Sequence, residues 1–219
     1  MLAFFVVNYD LIYPGASLQD LHASWMQKTG YITVRIGITD SFDKGRGKYH
    51  ISNPCIVTWV PFNEAWGQFK TPEIAGWIKL YDPSRLVNPA SGGNFYAVGD
   101  MLDIHSYPAP DLALFDGRRA CVLGEYGGIG LAMENHLWVK DKNWGYVQYK
   151  TSDEATTAFI ELAEKLKTLI PRGFSAAVYT QTTDVEMEIN GLMTYDRKVI
   201  KMDESRIRKV NSEICNSLK

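Results

Sequence analysis

From residue 54 onward the chain alternates short strand-like runs with helical stripes. The runs are 56–62, 85–88, 101–105, 120–124 and 174–179. The apolar runs 56–62 and 120–124 fit strands buried on both faces, as in a parallel sheet. Thr71 reads as the cap of a helix over 71–81, with Pro72 at its first position and Pro83 ending it at Asp82. Ser152 reads as the cap of a second helix over 153–170. Its first turn is acidic, its apolar stripe is Ala155, Ala158, Phe159, Leu162, Leu166 and Leu169, and Pro171 and Gly173 stop it. A closing helix over 203–218 turns Ile207, Val210, Ile214 and Leu218 inward. This strand–helix rhythm predicts a mainly parallel sheet with helices outside.

Two stretches break the rhythm. Residues 126–150 are rich in glycine and aromatics, including Trp138 and Trp144, and read as a long connection of the kind that carries function. The N-terminal part gives two candidate strands, 2–7 and 31–38, a short helix over 17–27 and a polar loop over 43–48, with no catalytic pattern. The chain thus divides into a divergent segment, 1–52, and a patterned region, 53–219.

Composition narrows the function. With 46% hydrophobic and 22% charged residues the chain is globular. A net charge of −2 without a basic block argues against a nucleic-acid partner. The apolar stretch 2–7 is too short to span a bilayer and lacks the flanks of a signal peptide, so no membrane role is read and the compartment stays open. Cys55, Cys121 and Cys215 show neither metal nor disulfide spacing, and Cys55 and Cys121 read as small buried hydrophobes.

Chemistry concentrates where two apolar runs end. Glu64 follows 56–62 and Glu125 follows 120–124. The C-terminal ends of parallel strands are where (β/α) barrels hold their catalytic groups. Either glutamate alone reads as a surface carboxylate. As a pair they fit an acid/base and a nucleophile facing one sugar ring.

The segments Asn63-Glu64, Asp103-Ile104-His105-Ser106-Tyr107-Pro108 and Gly124-Glu125-Tyr126-Gly127 follow one another in the order seen in glycoside hydrolase family 2. From about residue 53 to 218 the chain resembles the catalytic barrel of that family, which contains β-galactosidases, β-glucuronidases and β-mannosidases. The resemblance implies an α/β fold of the (β/α)8 TIM-barrel type with strands 4 to 8 recognisable and the first half missing or replaced by 1–52. Such barrels typically take ~250 residues. An open sheet edge is a liability that strands 2–7 and 31–38 would cover, or that self-association or a missing partner domain would satisfy.

The same resemblance implies a retaining β-glycosidase with Glu125 as nucleophile and Glu64 as acid/base; no cofactor or metal is expected, since no Cys/His/Asp cluster stands near His105 in the sequence. It makes Tyr107 the hydrogen-bond partner of the nucleophile and sets Tyr179 where many relatives have a tryptophan under the sugar. Asn63 reads equally as a partner of the sugar 2-hydroxyl or as a turn residue, and His105 as a sugar ligand or a structural strand-end residue. Trp66 and Trp138 offer faces for sugar stacking, although tryptophan usually packs in cores. Gln181 shares a strand face with Tyr179 by period-two alternation. Glucuronidases of the family carry Asn-x-Lys where this chain has Glu188-Ile189-Asn190. A second acid there would repel a uronate, so the expected substrate is a neutral β-linked sugar, β-galactosides first. The rival expectations are transglycosylation on the same site and a barrel that binds sugar or a partner chain without turnover.

Overall fold

The computed structural model describes residues 5–6, 34–37, 56–64, 68–93, 95–111, 113 and 115–217. The expected helix over 17–27, the loop over 43–48, Cys55, Trp66 and Leu218 lie outside these. The fold is α/β with small parallel sheets. Strands β1 (Phe5–Val6), β2 (Val34–Gly37), β3 (Ile56–Val60), β4 (Leu86–Val87), β5 (Met101–Ser106), β6 (Ala120–Gly127) and β9 (Phe174–Thr180) form two of them, ordered β2-β3-β4 and β1-β9-β6-β5. Every pairing in both is parallel. The short strands β1 and β2 flank β9 and β3, the edges that the sequence left open, and they approach each other.

Three helices accompany the strands: α1 (Thr71–Tyr81), α2 (Ser152–Leu169) and α3 (Glu204–Asn216). All three fall where expected and the described stripe residues of α2 and α3 turn inward, but two caps differ by one residue. Lys70, in the left-handed region, is the N-cap of α1, and Thr71 sits buried in the first turn. Thr151 rather than Ser152 caps α2. Its hydroxyl accepts from the Glu154 amide, and the Glu154 carboxylate accepts from the Thr151 amide, a reciprocal capping box. Thr151→Ala is expected to cost about 1 kcal/mol. A thermal melt would read this as a fall of roughly 2–4 °C, and an unchanged midpoint would show that the box contributes nothing.

The main core lies between the sheet and α2 and α3. Ile104, Leu123, Tyr126, Ala177 and Tyr179 point from β5, β6 and β9 toward Phe159, Leu166, Ile207 and Val210. On the opposite sheet face Met101, Val122 and Ala176 form a smaller cluster. These two clusters fix which face each strand residue takes. The connection 126–150 carries a further parallel pair, β7 (Ile129–Leu131) with β8 (Val147–Tyr149), which its composition did not announce.

Candidate active site

The strand faces alone would place Glu125 on the wrong side. Val122 points to the inner cluster and Leu123 to the helices, so strict alternation would turn Glu125 toward α2. A register shift rescues it. Ile104 pairs with Leu123, but His105 pairs with Glu125, which leaves Gly124 as an extra residue. The Asp103 carboxylate occupies the space beside it and accepts from the Gly124 amide at 2.8 Å. A Cβ on residue 124 would stand 2.1 Å from Asp103 Oδ1, so the bulge requires glycine. Bulges re-aim side chains in this way. Tyr126 then returns to the helix-facing core, and Glu125 faces the same side as Asp103 and His105.

Glu125 is 3% exposed. Its Oε2 accepts from the Tyr107 hydroxyl at 2.7 Å, and that hydroxyl lies 2.7 Å from Thr180 Oγ1. Burial and the neighbouring Glu125 charge push the Tyr107 phenol far up, so it stays a donor. His105 Nδ1 stands 3.3 Å from Glu125 Oε2 and 3.6 Å from Glu64 Oε1, while its Nε2 meets Ser91 Oγ at 2.8 Å.

Glu64 reaches this point from the other sheet. Past β3 and β4 the ladder continues: Ser91 N–H donates to the Phe62 carbonyl, Glu64 N–H donates to the Ser91 carbonyl, and Asn63 bridges Ser91. Glu64 itself takes a left-handed conformation, φ 57°, that ends the strand. One oxygen of Glu64 and one of Glu125 lie within 4.8 Å of each other and of a His105 nitrogen.

The structure therefore brings together Glu64, Glu125, His105 and Tyr107, with Asn63 adjoining. One expected residue turns away from the site. Tyr179 packs in the helix-side core, edge-on to Tyr126 and Phe159. Its strand neighbour Thr180 takes the site-facing position instead. Gln181 is 1% exposed, its backbone bonded to Asn190 and Leu192. Trp138 is 47% exposed and meets Tyr195 edge-on.

Two further residues stand at the site: Tyr146, which carried no sequence signal, and Glu188, which the sequence had already marked as an acid that would repel a uronate. Tyr146 stacks flat on Tyr107, with centroids 3.8 Å apart and planes 2° from parallel. Burial and the charges of Glu188, Glu125 and Glu64 push its phenol up. Glu188 stands on the turn after β9, where the Trp144 and Ile189 backbones bond and hold the two long connections together. Burial, outweighing a hydrogen bond from Asn190, and the charges of Glu125, Asp184 and Glu64 push its carboxyl up to about 6. A folded-state value above the unfolded one means that the native protein holds the proton longer. The carboxyl's contribution is thus fully present below about 4.5 and lost as pH rises through about 6. Glu188→Gln is expected to raise the urea midpoint more at pH 7 than at pH 4.5. Equal midpoint changes at both pH values would mean that the carboxyl is not strained by its neighbours.

No family model matches the chain, and neither does any curated protein. Solved structures do. A β-glucuronidase from Bifidobacterium dentium complexed with coumarin-3-O-glucuronide superposes with a TM-score of 0.59 at 13% identity, covering 95% of this chain and 46% of that one. A Lactobacillus rhamnosus β-glucuronidase gives 0.57 at 12% identity, covering 98% and 49%. The chain spans about half the length of these enzymes. At such identity the likeness is one of fold: small parallel sheets and helices compatible with part of a glycosidase TIM barrel. Among the described residues no helix is long and apolar enough to cross a membrane.

Proposed function

We propose that residues 53–219 are a glycosidase barrel region, strands 4 to 8 of a (β/α)8 fold, that hydrolyses β-linked neutral sugars with retention. The observation that carries this reading is the approach of Glu64 and Glu125 within 4.8 Å at the ends of parallel strands. Retaining enzymes hold their carboxyl groups about 5–5.5 Å apart, while inverting ones leave room for a water between them.

In this reading a Glu125 oxygen attacks the anomeric carbon as Glu64 protonates the departing oxygen. Glu64 then takes a proton from water, which attacks the same carbon and releases Glu125. Tyr107 holds the attacking carboxylate by its hydrogen bond, and the stacked Tyr146 fixes the Tyr107 ring. Asn63 and His105 flank the two carboxyls and are the groups for sugar hydroxyls. Trp66 follows the acid/base residue in sequence and stays a candidate for stacking.

Glu188 supports a neutral sugar. Its carboxyl feels both Glu64 and Glu125, so a uronate would add a fourth carboxylate to the same space. The test is hydrolysis of aryl β-glycosides by the full chain. Turnover of β-galactoside or β-glucoside above β-glucuronide is expected. Preference for the glucuronide would overturn the neutral-sugar assignment. A folded chain that turns over none of them would favour the rival role of a barrel that binds sugar or a partner chain.

A further inference from the structure

The arrangement of Glu64, His105 and Glu125 has a second chemical use. A tetrahedral zinc ion with bonds of 2.0–2.1 Å sets its ligand atoms about 3.3–3.4 Å apart. His105 Nδ1 lies 3.3 Å from Glu125 Oε2 and 3.6 Å from Glu64 Oε1, two edges close to that length. The third edge, between the carboxylates, is at most 4.8 Å. Closing it would take a rotation of the Glu64 side chain, which is 41% exposed.

The surroundings are those of a metal-ligating histidine, whose second nitrogen usually engages a fixed partner that orients the ring. Here Nε2 meets Ser91 Oγ at 2.8 Å, which presents Nδ1 to the two carboxylates. The ring also lies flat against Gly92, where a Cβ would come within 2.8 Å of three ring atoms. Glu125 is fixed in turn by Tyr107. Two oriented ligands and one adjustable, partly exposed ligand leave a fourth position for water.

We propose that Glu64, His105 and Glu125 form a binding site for a divalent transition-metal cation of the zinc type, and that the bound ion blocks the sugar site. Binding follows from the geometry alone; the block rests on the glycosidase reading, because the ion uses the same two carboxylates. Mixed nitrogen and carboxylate ligands favour zinc over magnesium, which prefers six oxygens and retains its waters.

The test titrates the full chain with zinc chloride by calorimetry and follows its thermal midpoint, with magnesium chloride as control. One zinc equivalent and a midpoint rising with zinc are expected, with no response to magnesium. His105→Ala should weaken binding on the order of 100-fold and Glu64→Gln on the order of tenfold. His136→Ala should leave affinity unchanged, although His136 also faces a carboxylate, Asp196, at 2.9 Å. Should His105→Ala fail to fold, Glu64→Gln decides, since Glu64 is partly exposed at a strand end. Unchanged affinity in Glu64→Gln or in a folded His105→Ala, or a loss in His136→Ala, would overturn the site. Zinc should inhibit glycoside hydrolysis competitively and a chelator should restore it; hydrolysis indifferent to bound zinc would overturn the block. Zinc binding with this variant pattern, in a chain that hydrolyses no glycoside, supports the site and counts against the glycosidase reading instead.

Discussion

Glu125→Gln is expected to reduce glycoside turnover by on the order of 10⁴-fold or more, equally on every substrate. The amide keeps the shape and the Tyr107 contact but cannot form the glycosyl-enzyme. Glu64→Ala should behave differently. A substrate with a good leaving group needs no protonation, so its first step is spared and the glycosyl-enzyme accumulates. External azide, an anionic nucleophile that needs no general base, should then restore turnover and yield a β-glycosyl azide. Steady-state rates with and without azide, and the anomeric configuration of the product, check both halves. An α-azide, or equal loss on all substrates without rescue, would count against Glu125 as nucleophile and Glu64 as acid/base.

Much of the framework was legible because burial on both faces leaves an unambiguous mark. The runs ending before Glu64 and Glu125 became β3 and β6, and the described stripe residues of α2 and α3 turned inward as read. What the pattern could not show was local geometry. Alternation misassigns a strand wherever an extra residue enters, and the bulge at Gly124 depends on the carboxylate of Asp103 in the neighbouring strand. Tyr179 failed as a site residue for a related reason. A tyrosine satisfies a core as well as a sugar platform, and the face it takes is fixed by Phe159 on α2. Cap positions slipped by one residue because Thr151 and Ser152 are both good caps, and only the reciprocal bond with Glu154 separates them. Tyr146 and Glu188 lie in irregular connections, whose path periodicity cannot predict. The two meet at the site because separate connections pair through Trp144 and Glu188.

That pairing makes the turn after β9 a support for the site, and its anchor is a buried charge. Lys201 is fully buried; its Nζ donates to Asp184 Oδ1 at 2.6 Å and to the Ile189 carbonyl at 2.8 Å. Asp184 Oδ1 also accepts from the Gly191 amide. These bonds close the turn that carries Glu188 and Asn190. Burial pushes the Asp184 carboxyl up to about 6 against the pull of Lys201, and pushes Lys201 down. Lys201→Met removes the cation but fits the space, leaving a buried carboxylate without its counter-charge. Breaking such a pair costs about 3–5 kcal/mol, or a fall of roughly 6–20 °C in the thermal midpoint of a chain this size. The pH dependence follows in sign. The folded-state value of Asp184 already lies above 3.8 and rises further without Lys201, so the native state binds a proton that the unfolded state has released. The loss should be larger at pH 7 than at pH 5, where Asp184 can protonate, and Asp184→Asn added to Lys201→Met should recover part of it at pH 7. Melts of both variants at the two pH values measure this. A single variant as stable as the wild type at pH 7 would show that the pair does not hold the turn.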